Sequence, residues 1–280
     1  MQTIEVAIPV ADDLQEFLIA ELADLDFEAF EQDEGLLRAY IPAARWNDVH
    51  REWIEQWLLA QGVTAPIRES IIEPINWNAQ WEETIQPVAV GRFLVKPTWA
   101  QLPPEHTDRI LLEVDPKMSF GTGYHPSTRL MLHFVPDVVA AGDLVMDAGT
   151  GTGILAIAAA KVGARHVFAF DVDDWSYENG RENVLINGVE DRVEVVLGGI
   201  EVAPEGPFDT ILANINLNIL LGALEMFRMR LQPGGMLAMA GMLVSDRERM
   251  IEALAARDFA VEQERQEDEW WAVGARLTRS

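Results

Sequence analysis

The chain opens with a change of hydrophobic period every ten to fifteen residues. In "TIEVAIPV" apolar residues fall at every second position, as in a strand with one buried face. In "DDLQEFLIAELADLD" they fall at Leu14, Phe17, Leu18, Leu22 and Leu25, a helical stripe for which Asp12 or Asp13 is the expected cap. "FEAFEQD", Glu34-Gly35 and "LLRAYIP" predict a hairpin. "ARWNDVHREWIEQWLLAQG" predicts a second helix with Trp46, Val49, Trp53 and Trp57 on one face and Gly62 at its end. "IRESIIEPI" closes the set as a strand. The order βαββαβ over residues 1–75 is a ferredoxin-like α+β domain.

Residues 76–87, "NWNAQWEETIQP", predict a linker helix that stops before Pro87, with Trp77 and Trp81 sharing a face for packing. "VAVGRFLVKP" and "RILLEVDP" predict two short strands. From about residue 126 the pattern alternates between helix and strand. The strands are "LVMDAG", "HVFAFDV", "VEVVLG", "DTILANI", "MLAMAGM", "AVEQERQ" and "WWAVGARL". Such alternation predicts an α/β domain over 88–280, a doubly wound, mostly parallel seven-stranded sheet with an antiparallel end.

Composition removes several classes of function. The chain of 280 residues is 49% hydrophobic, ample for a packed core, yet no apolar run is long enough to span a bilayer. The start has no basic region ahead of an apolar one, so no signal peptide is expected. Cysteine is absent, which excludes disulfides, zinc–thiolate sites and a thiol nucleophile, and suits the cytoplasm. The five histidines show no metal-ligand spacing, so no metal is expected. A net charge of −25 disfavours direct contact with nucleic acid and favours a basic partner. Residues 1–75 hold 16 Asp and Glu against four Arg, so the small domain reads as an acidic recognition surface. Only Lys96, Lys117 and Lys161 are lysine, so solvation in a salty cytoplasm is a second reading of the charge.

Two glycine-rich stretches carry the candidate chemistry. "LVMDAGTGTGILAIAAAKVGA" is an apolar strand, a glycine turn and a helix. Gly149, Gly151 and Gly153 allow a sharp turn and close approach of backbone to a ligand. A dinucleotide fingerprint needs a glycine where Ile154 stands. The spacing is D-x-G-x-G-x-G led by Asp147, which suits a cofactor with an amino group and a sulfonium, S-adenosyl-L-methionine, better than NAD. Asp171 ends the next strand, 22 residues after Gly149, where an acid accepts both ribose hydroxyls. Such bonds to a charged acceptor contribute about 1.5–3 kcal/mol each. Asn214 stands at the carboxyl end of "DTILANI", either in the site or as the cap of the helix that follows. The Asn/Asp-Pro-Pro-aromatic box of enzymes that methylate amide or base nitrogens is replaced by Asn214-Ile215-Asn216-Leu217, which disfavours such targets.

"NWNAQWEETIQPVAVGRFLVKPTW", "DPKMSFGTGYHPSTRLML", the glycine strand, "DVDDWSYENGRENVLING", "LANI" and "EDEWWAV" together resemble the bacterial methyltransferase family of ribosomal large-subunit protein eleven. The likeness runs over about residues 70–275, and "FGTGxHPST" is its most specific part. It implies transfer of methyl groups from S-adenosyl-L-methionine to lysine side chains and the N-terminal amine of that ribosomal protein. It also implies a ferredoxin-like substrate-recognition domain at the N-terminus and cofactor contacts at Thr128, Gly149, Asp171 and Asn214. Asp147 and Gly151 of the glycine loop join them, with Phe120 and Thr122 of "SFGTG", a segment expected to form a wall or lid beside the cofactor. The chain departs from the family at Tyr124, where a small residue is expected, and at Asn216, where an apolar one is. Trp175 and Tyr177 add aromatics after the ribose acid.

Methyl transfer to an amine requires a neutral nitrogen, and free lysine titrates near 10.4. No general base is evident. His125 is a candidate by position, although its His-Pro pair also suits a structural role, and Asn214 is a candidate acceptor for the incoming amine. A methyltransferase for another basic protein or a small amine, and a non-catalytic protein that binds the same cofactor, remain alternatives. An NAD-dependent oxidoreductase is disfavoured by Ile154.

Overall fold

The computed structural model describes residues 3–72, 85–102, 108–117 and 119–278. The chain divides into two compact units, Met1–Trp77 and Asn78–Ser280. Most of the expected linker helix, including Trp77 and Trp81, lies outside the described residues.

In the first unit β1 (Thr3–Pro9), β2 (Ala29–Asp33), β3 (Leu36–Pro42) and β4 (Arg68–Ile72) form one antiparallel sheet in the order β2-β3-β1-β4. With helices α1 (Asp12–Ala23) and α2 (Asp48–Ala60) this is the ferredoxin-like βαββαβ arrangement. Alternation determines the register: Ile4, Val6 and Ile8 lie opposite Ile41, Ala39 and Leu37, all buried. Two local expectations change. The N-cap of α1 is Ala11, without a side-chain bond, because Asp12 Oδ1 instead accepts from Gly35 N (2.8 Å) at the tip of the β2–β3 hairpin. In α2 the fully buried positions are Ile54 and Leu58. Trp53 and Trp57 flank them partly buried, Val49 is exposed, and Trp46 lies before the helix. The wide indoles cover the edge of the stripe while the branched aliphatics fill its centre.

In the second unit "VAVGRFLVKP" folds as two strands, β5 (Val88–Val90) and β6 (Phe93–Lys96), rather than one. Gly91 takes φ +52° between them, a left-handed turn that reverses the chain. β7 (Ile110–Glu113) joins β6 in parallel. The large sheet contains β8 (Leu144–Ala148), β9 (His166–Asp171), β10 (Val193–Leu197), β11 (Phe208–Asn214), β12 (Leu231–Leu243), β13 (Phe259–Glu267) and β14 (Trp270–Leu277). Their order is β10-β9-β8-β11-β12-β14-β13, parallel up to β12 and antiparallel around β14.

Helices cover both faces. Val145, Val167, Ala169 and Leu212 join the core that includes buried residues of α3 (Pro126–Val138) and α4 (Ile154–Val162). Met146, Phe168, Phe170 and Ile211 join the core that includes buried residues of α6 (Leu217–Arg230) and α7 (Arg247–Ala255). Between β9 and β10 runs α5 (Asp174–Ile186). The strand order reverses at β8, so the chain diverges above the β8 and β11 ends and leaves a crevice there.

Ile54 is fully buried in the small unit's core. Ile54→Ala should lower that unit's stability by roughly 2–5 kcal/mol. Faster amide hydrogen exchange in β1 and β3, with unchanged exchange in β8 and β11, is the expected readout.

Candidate functional site

A cavity of about 520 Å³ occupies the crevice. The glycine loop forms its floor. Gly149, Gly151 and Gly153 take φ of +73°, +55° and +82°. A Cβ on Gly149 would lie 2.4 Å from Ile215 Cγ2, and one on Gly151 would lie 2.3 Å from the Phe120 carbonyl oxygen. Gly149 N and Thr150 N both donate to Phe170 O at 3.0 Å. Gly151 N donates to Asp171 Oδ2 at 2.9 Å, which fastens the loop to the end of β9.

The "SFGTG" segment forms a wall against this floor. Thr152 N donates to Phe120 O (2.9 Å) and Thr152 Oγ1 donates to Gly121 O (2.6 Å). Gly121, at φ +107°, leaves room for that hydroxyl. The segment then enters α3, with His125 as N-cap and Pro126 in the first turn, where its missing N–H costs nothing. On the far side of the loop Asn183 Nδ2 of α5 donates to Thr152 O (2.9 Å), while its Oδ1 accepts from Asp115 N (3.0 Å).

The expected site residues separate into three groups. Phe120, Gly149, Gly151, Asp171 and Asn214 all line the cavity. Thr128 and Asp147 are fully buried behind it. Asn214 Nδ2 donates to Thr128 Oγ1 at 3.4 Å, so Thr128 orients a lining residue. Thr122 is not brought to the cavity: it faces a small cleft with Val95, Lys96 and Tyr124. The Tyr124 departure therefore lies in that cleft and not in the cavity wall. Asn216 is the N-cap of α6, its Oδ1 accepting from Ile219 N (3.1 Å). Capping thus falls to Asn216 and leaves Asn214 Oδ1 buried without a partner. Trp175 is exposed, and Tyr177 lies beneath the Arg181 guanidinium.

Sequence reasoning missed Trp270, Ser176, Ile215 and Gly241 among the lining residues. Gly241 had a signal, a lone glycine within a strand. At φ +87° its missing Cβ would meet Ile215 O at 2.4 Å, so it lets the β11–α6 loop close over β12.

Electrostatics distinguish two groups. Burial pushes the Asp147 carboxyl up to about 7, helped by the charge of Asp171 and opposed by hydrogen bonds from Thr150 Oγ1 (2.6 Å) and Ala156 N (3.1 Å). Burial also lowers the His125 imidazole below its usual value. The positive charge of Arg129 adds to this and Glu269 opposes it. His125 Nδ1 accepts from Ser127 N (3.2 Å) and lies 2.8 Å from Ser127 Oγ, so the neutral ring carries its proton on Nε2. A base would need a free lone pair, and the only one is occupied by the cap. The arrangement gives His125 a structural role.

No lysine or arginine lines the cavity among the described residues, so it offers no side-chain cation to a phosphate. Among the described residues there is also no His/Cys/Asp/Glu cluster suited to a metal, and no helix long and apolar enough to cross a membrane.

Gly151→Ala should cost roughly 1–3 kcal/mol through its positive φ and its clash with Phe120 O. A lower urea midpoint is expected, with a larger loss of S-adenosylhomocysteine affinity in calorimetry. Asp147 titrates from 3.8 when unfolded to about 7 when folded, so the native state holds the extra proton. Its contribution is full below the unfolded value and is lost as pH rises through 7. Asp147→Asn should therefore gain stability relative to the parent between about pH 5.5 and about pH 8, as read from urea unfolding at both.

Comparison with known proteins agrees with this architecture. The family described as "Ribosomal protein L11 methyltransferase (PrmA)" matches residues 11–278. A relative of that name from Chlorobaculum parvum is 40% identical over 277 residues, covering 95% of this chain and 94% of its own. One from Porphyromonas gingivalis is 38% identical, covering 96% and 92%. The crystal structure of a ribosomal protein L11 methylase from Lactobacillus delbrueckii subsp. bulgaricus superposes with a TM-score of 0.65 at 27% identity, over 70% of this chain and all of that one. With the family matched from the first helix to the last strand, and with its glycine strand and FGTG segment interlocked around one cavity, this chain belongs to the ribosomal protein L11 methyltransferase family.

Proposed function

We infer that this protein transfers methyl groups from S-adenosyl-L-methionine to amino groups of ribosomal protein L11, on lysine side chains and the N-terminal amine. The observation that carries this reading is Asn214. Its amide carbonyl is buried, unpartnered and on a residue that lines the cavity, beside a floor whose glycines leave no room for a Cβ. An unpaired buried acceptor costs about 1–3 kcal/mol, which a donor from the ligand would recover. The names of the relatives supply the substrate.

The residues present fit the cofactor. Gly149 and Gly151 admit it against the backbone. Asp171 Oδ2 and Oδ1 hold Gly151 N and Asp173 N (3.1 Å), and their remaining lone pairs suit ribose hydroxyls. Phe170, Val172 and Ile200 offer apolar surface to a base. Phe120 closes the side, and Thr128 and Asp147 act from behind through Asn214 and Thr150. Among the described residues no lysine or arginine lines the cavity, which suits a cofactor without phosphate.

When bound, this cofactor supplies a methyl on a sulfonium, already activated for in-line attack. The protein's contribution is to position and deprotonate the amine. Asn214 Oδ1 accepts an N–H of the incoming nitrogen and turns its lone pair inward. Burial, more than the nearby Arg129 charge, holds His125 below its usual value, and Arg129 is itself paired with Glu267 (Nε to Oε1, 2.8 Å). The same burial disfavours an ammonium and favours the neutral nucleophile. Nearness of the reacting groups supplies several kcal/mol.

The acidic first unit is proposed to recruit the basic substrate, in the cytoplasm where ribosomal proteins are made. Labelled methyl transfer to an extract from cells lacking this protein should mark one small ribosomal protein, and absence of label from every macromolecule would overturn the reading. Asn214→Ala should lower kcat by roughly 10- to 1000-fold, with S-adenosylhomocysteine affinity changed far less. Removing residues 1–75 should abolish transfer to L11 while S-adenosylhomocysteine still binds.

A further inference from the structure

Three aromatic side chains meet at the end of the cavity that Asn214 occupies. The ring centroids of His125 and Phe120 lie 5.0 Å apart at 62°, and those of His125 and Trp270 lie 4.3 Å apart at 73°. All three residues line the cavity. His125 caps α3, and Thr128 N of the same turn donates to His125 O (3.0 Å). Thr128 in turn holds Asn214, so the rings and the unpartnered carbonyl belong to one corner. Phe120 is half exposed, although a ring of that size normally buries itself. His125 is neutral, with Nδ1 tied to Ser127, and presents an uncharged aromatic surface.

The only carboxylate that lines the cavity among the described residues is Asp171, at the β9 end and bonded to Gly151 N and Asp173 N. A cation beside Asn214 directly meets one carbonyl and aromatic faces, and the Glu269 carboxylate, which does not line the cavity, acts on the same corner at His125. Aromatic faces attract a weakly hydrated cation, and each added methyl reduces the hydration of an ammonium.

We propose that Phe120, His125 and Trp270 form a receptor for the methylated ammonium, retaining the target nitrogen in the cavity after a first transfer. The proposal rests on the amine-methylation reading above. In each transfer the nitrogen lone pair forms the new N–CH3 bond while the S–CH3 pair stays on sulfur, leaving a thioether. A neutral R–NH2 becomes R–NH2CH3+, which loses one proton to solvent before its lone pair can attack again. The burial that favours the neutral amine would drive this cation out. The rings oppose that expulsion and make a second transfer compete with release.

The test uses the full chain saturated with S-adenosylhomocysteine. Nα-acetyl-lysine methylamide in unmethylated, mono-, di- and trimethylated forms, and the uncharged tert-butyl isostere of the trimethyl form, are titrated against the indole N–H resonance of Trp270. Affinity should rise with each methyl, and the trimethyl cation should bind roughly 3- to 30-fold tighter than its neutral isostere. Trp270→Leu, followed through the Phe120 ring resonances, should bring that ratio toward one, and Trp270→Phe should keep most of it. Equal binding of cation and isostere, or no binding of the trimethyl form to the parent, overturns the proposal. So does a Trp270→Leu variant that alters the preference for S-adenosylmethionine over S-adenosylhomocysteine but leaves the lysine ratio intact, since the rings would then read the sulfonium. Transfer to L11 by the parent is measured separately. Labelled L11 with no cation preference removes only this inference, whereas a cation preference with no labelled L11 removes only the substrate assignment.

Discussion

The contact between the Phe120 carbonyl and the glycine loop is the constraint on which the site depends. Its oxygen accepts from Thr152 N, and it lies where a Cβ on residue 151 would be. Only glycine permits that approach, and only with the loop so placed can Gly151 N reach Asp171. One close backbone contact thereby locks together three pieces of chain: the segment before α3, the loop after β8 and the end of β9. The floor and the wall of the cavity are two sides of the same hydrogen-bonded seam.

Around that seam the protein leaves buried polar groups incompletely satisfied. Asn214 Oδ1 and Asp147 Oδ1 have no partner. Most buried polar atoms in folded proteins are paired, and an exception on a residue that lines a cavity, as Asn214 does, is open to a donor from a ligand. Asn214 is free for this because its neighbour Asn216 caps α6 in its place. A residue that departs from the family's expected apolar side chain thus has a local structural reason. Tyr124, the other departure, lies in a separate cleft with Lys96 and Val95 and leaves the cavity wall unchanged.

The architecture was largely legible because periodicity reports burial directly. The seven strands of the large sheet and the βαββαβ order of the small unit follow from periods of two and 3.6 residues. Errors arose where a local rule had a tertiary competitor. Asp12 was a plausible cap until the hairpin backbone at Gly35 claimed its carboxylate. A single strand was expected across Gly91, whose positive φ instead makes a turn. The indoles of α2 gave a helical stripe one position away from Ile54 and Leu58, since partly buried tryptophans are as apolar in sequence as fully buried aliphatics.

By itself the sequence determined the element types, the D-x-G-x-G-x-G floor with its ribose acid, and the family resemblance, since these depend on residue spacing along one stretch of chain. Tertiary structure decided which side chains of those stretches share a space. Phe120 and Thr122, two residues apart, face different cavities. Asn216 takes the cap that the sequence also offers to Asn214, and both line the cavity. Trp270 reaches His125 from the far end of the chain, because an antiparallel strand inserted beside β12 returns it to the mouth of the site. Spacing encodes period and turn. The direction of a side chain in a loop is determined by the packing and hydrogen bonds it finds, and those partners come from elsewhere in the fold.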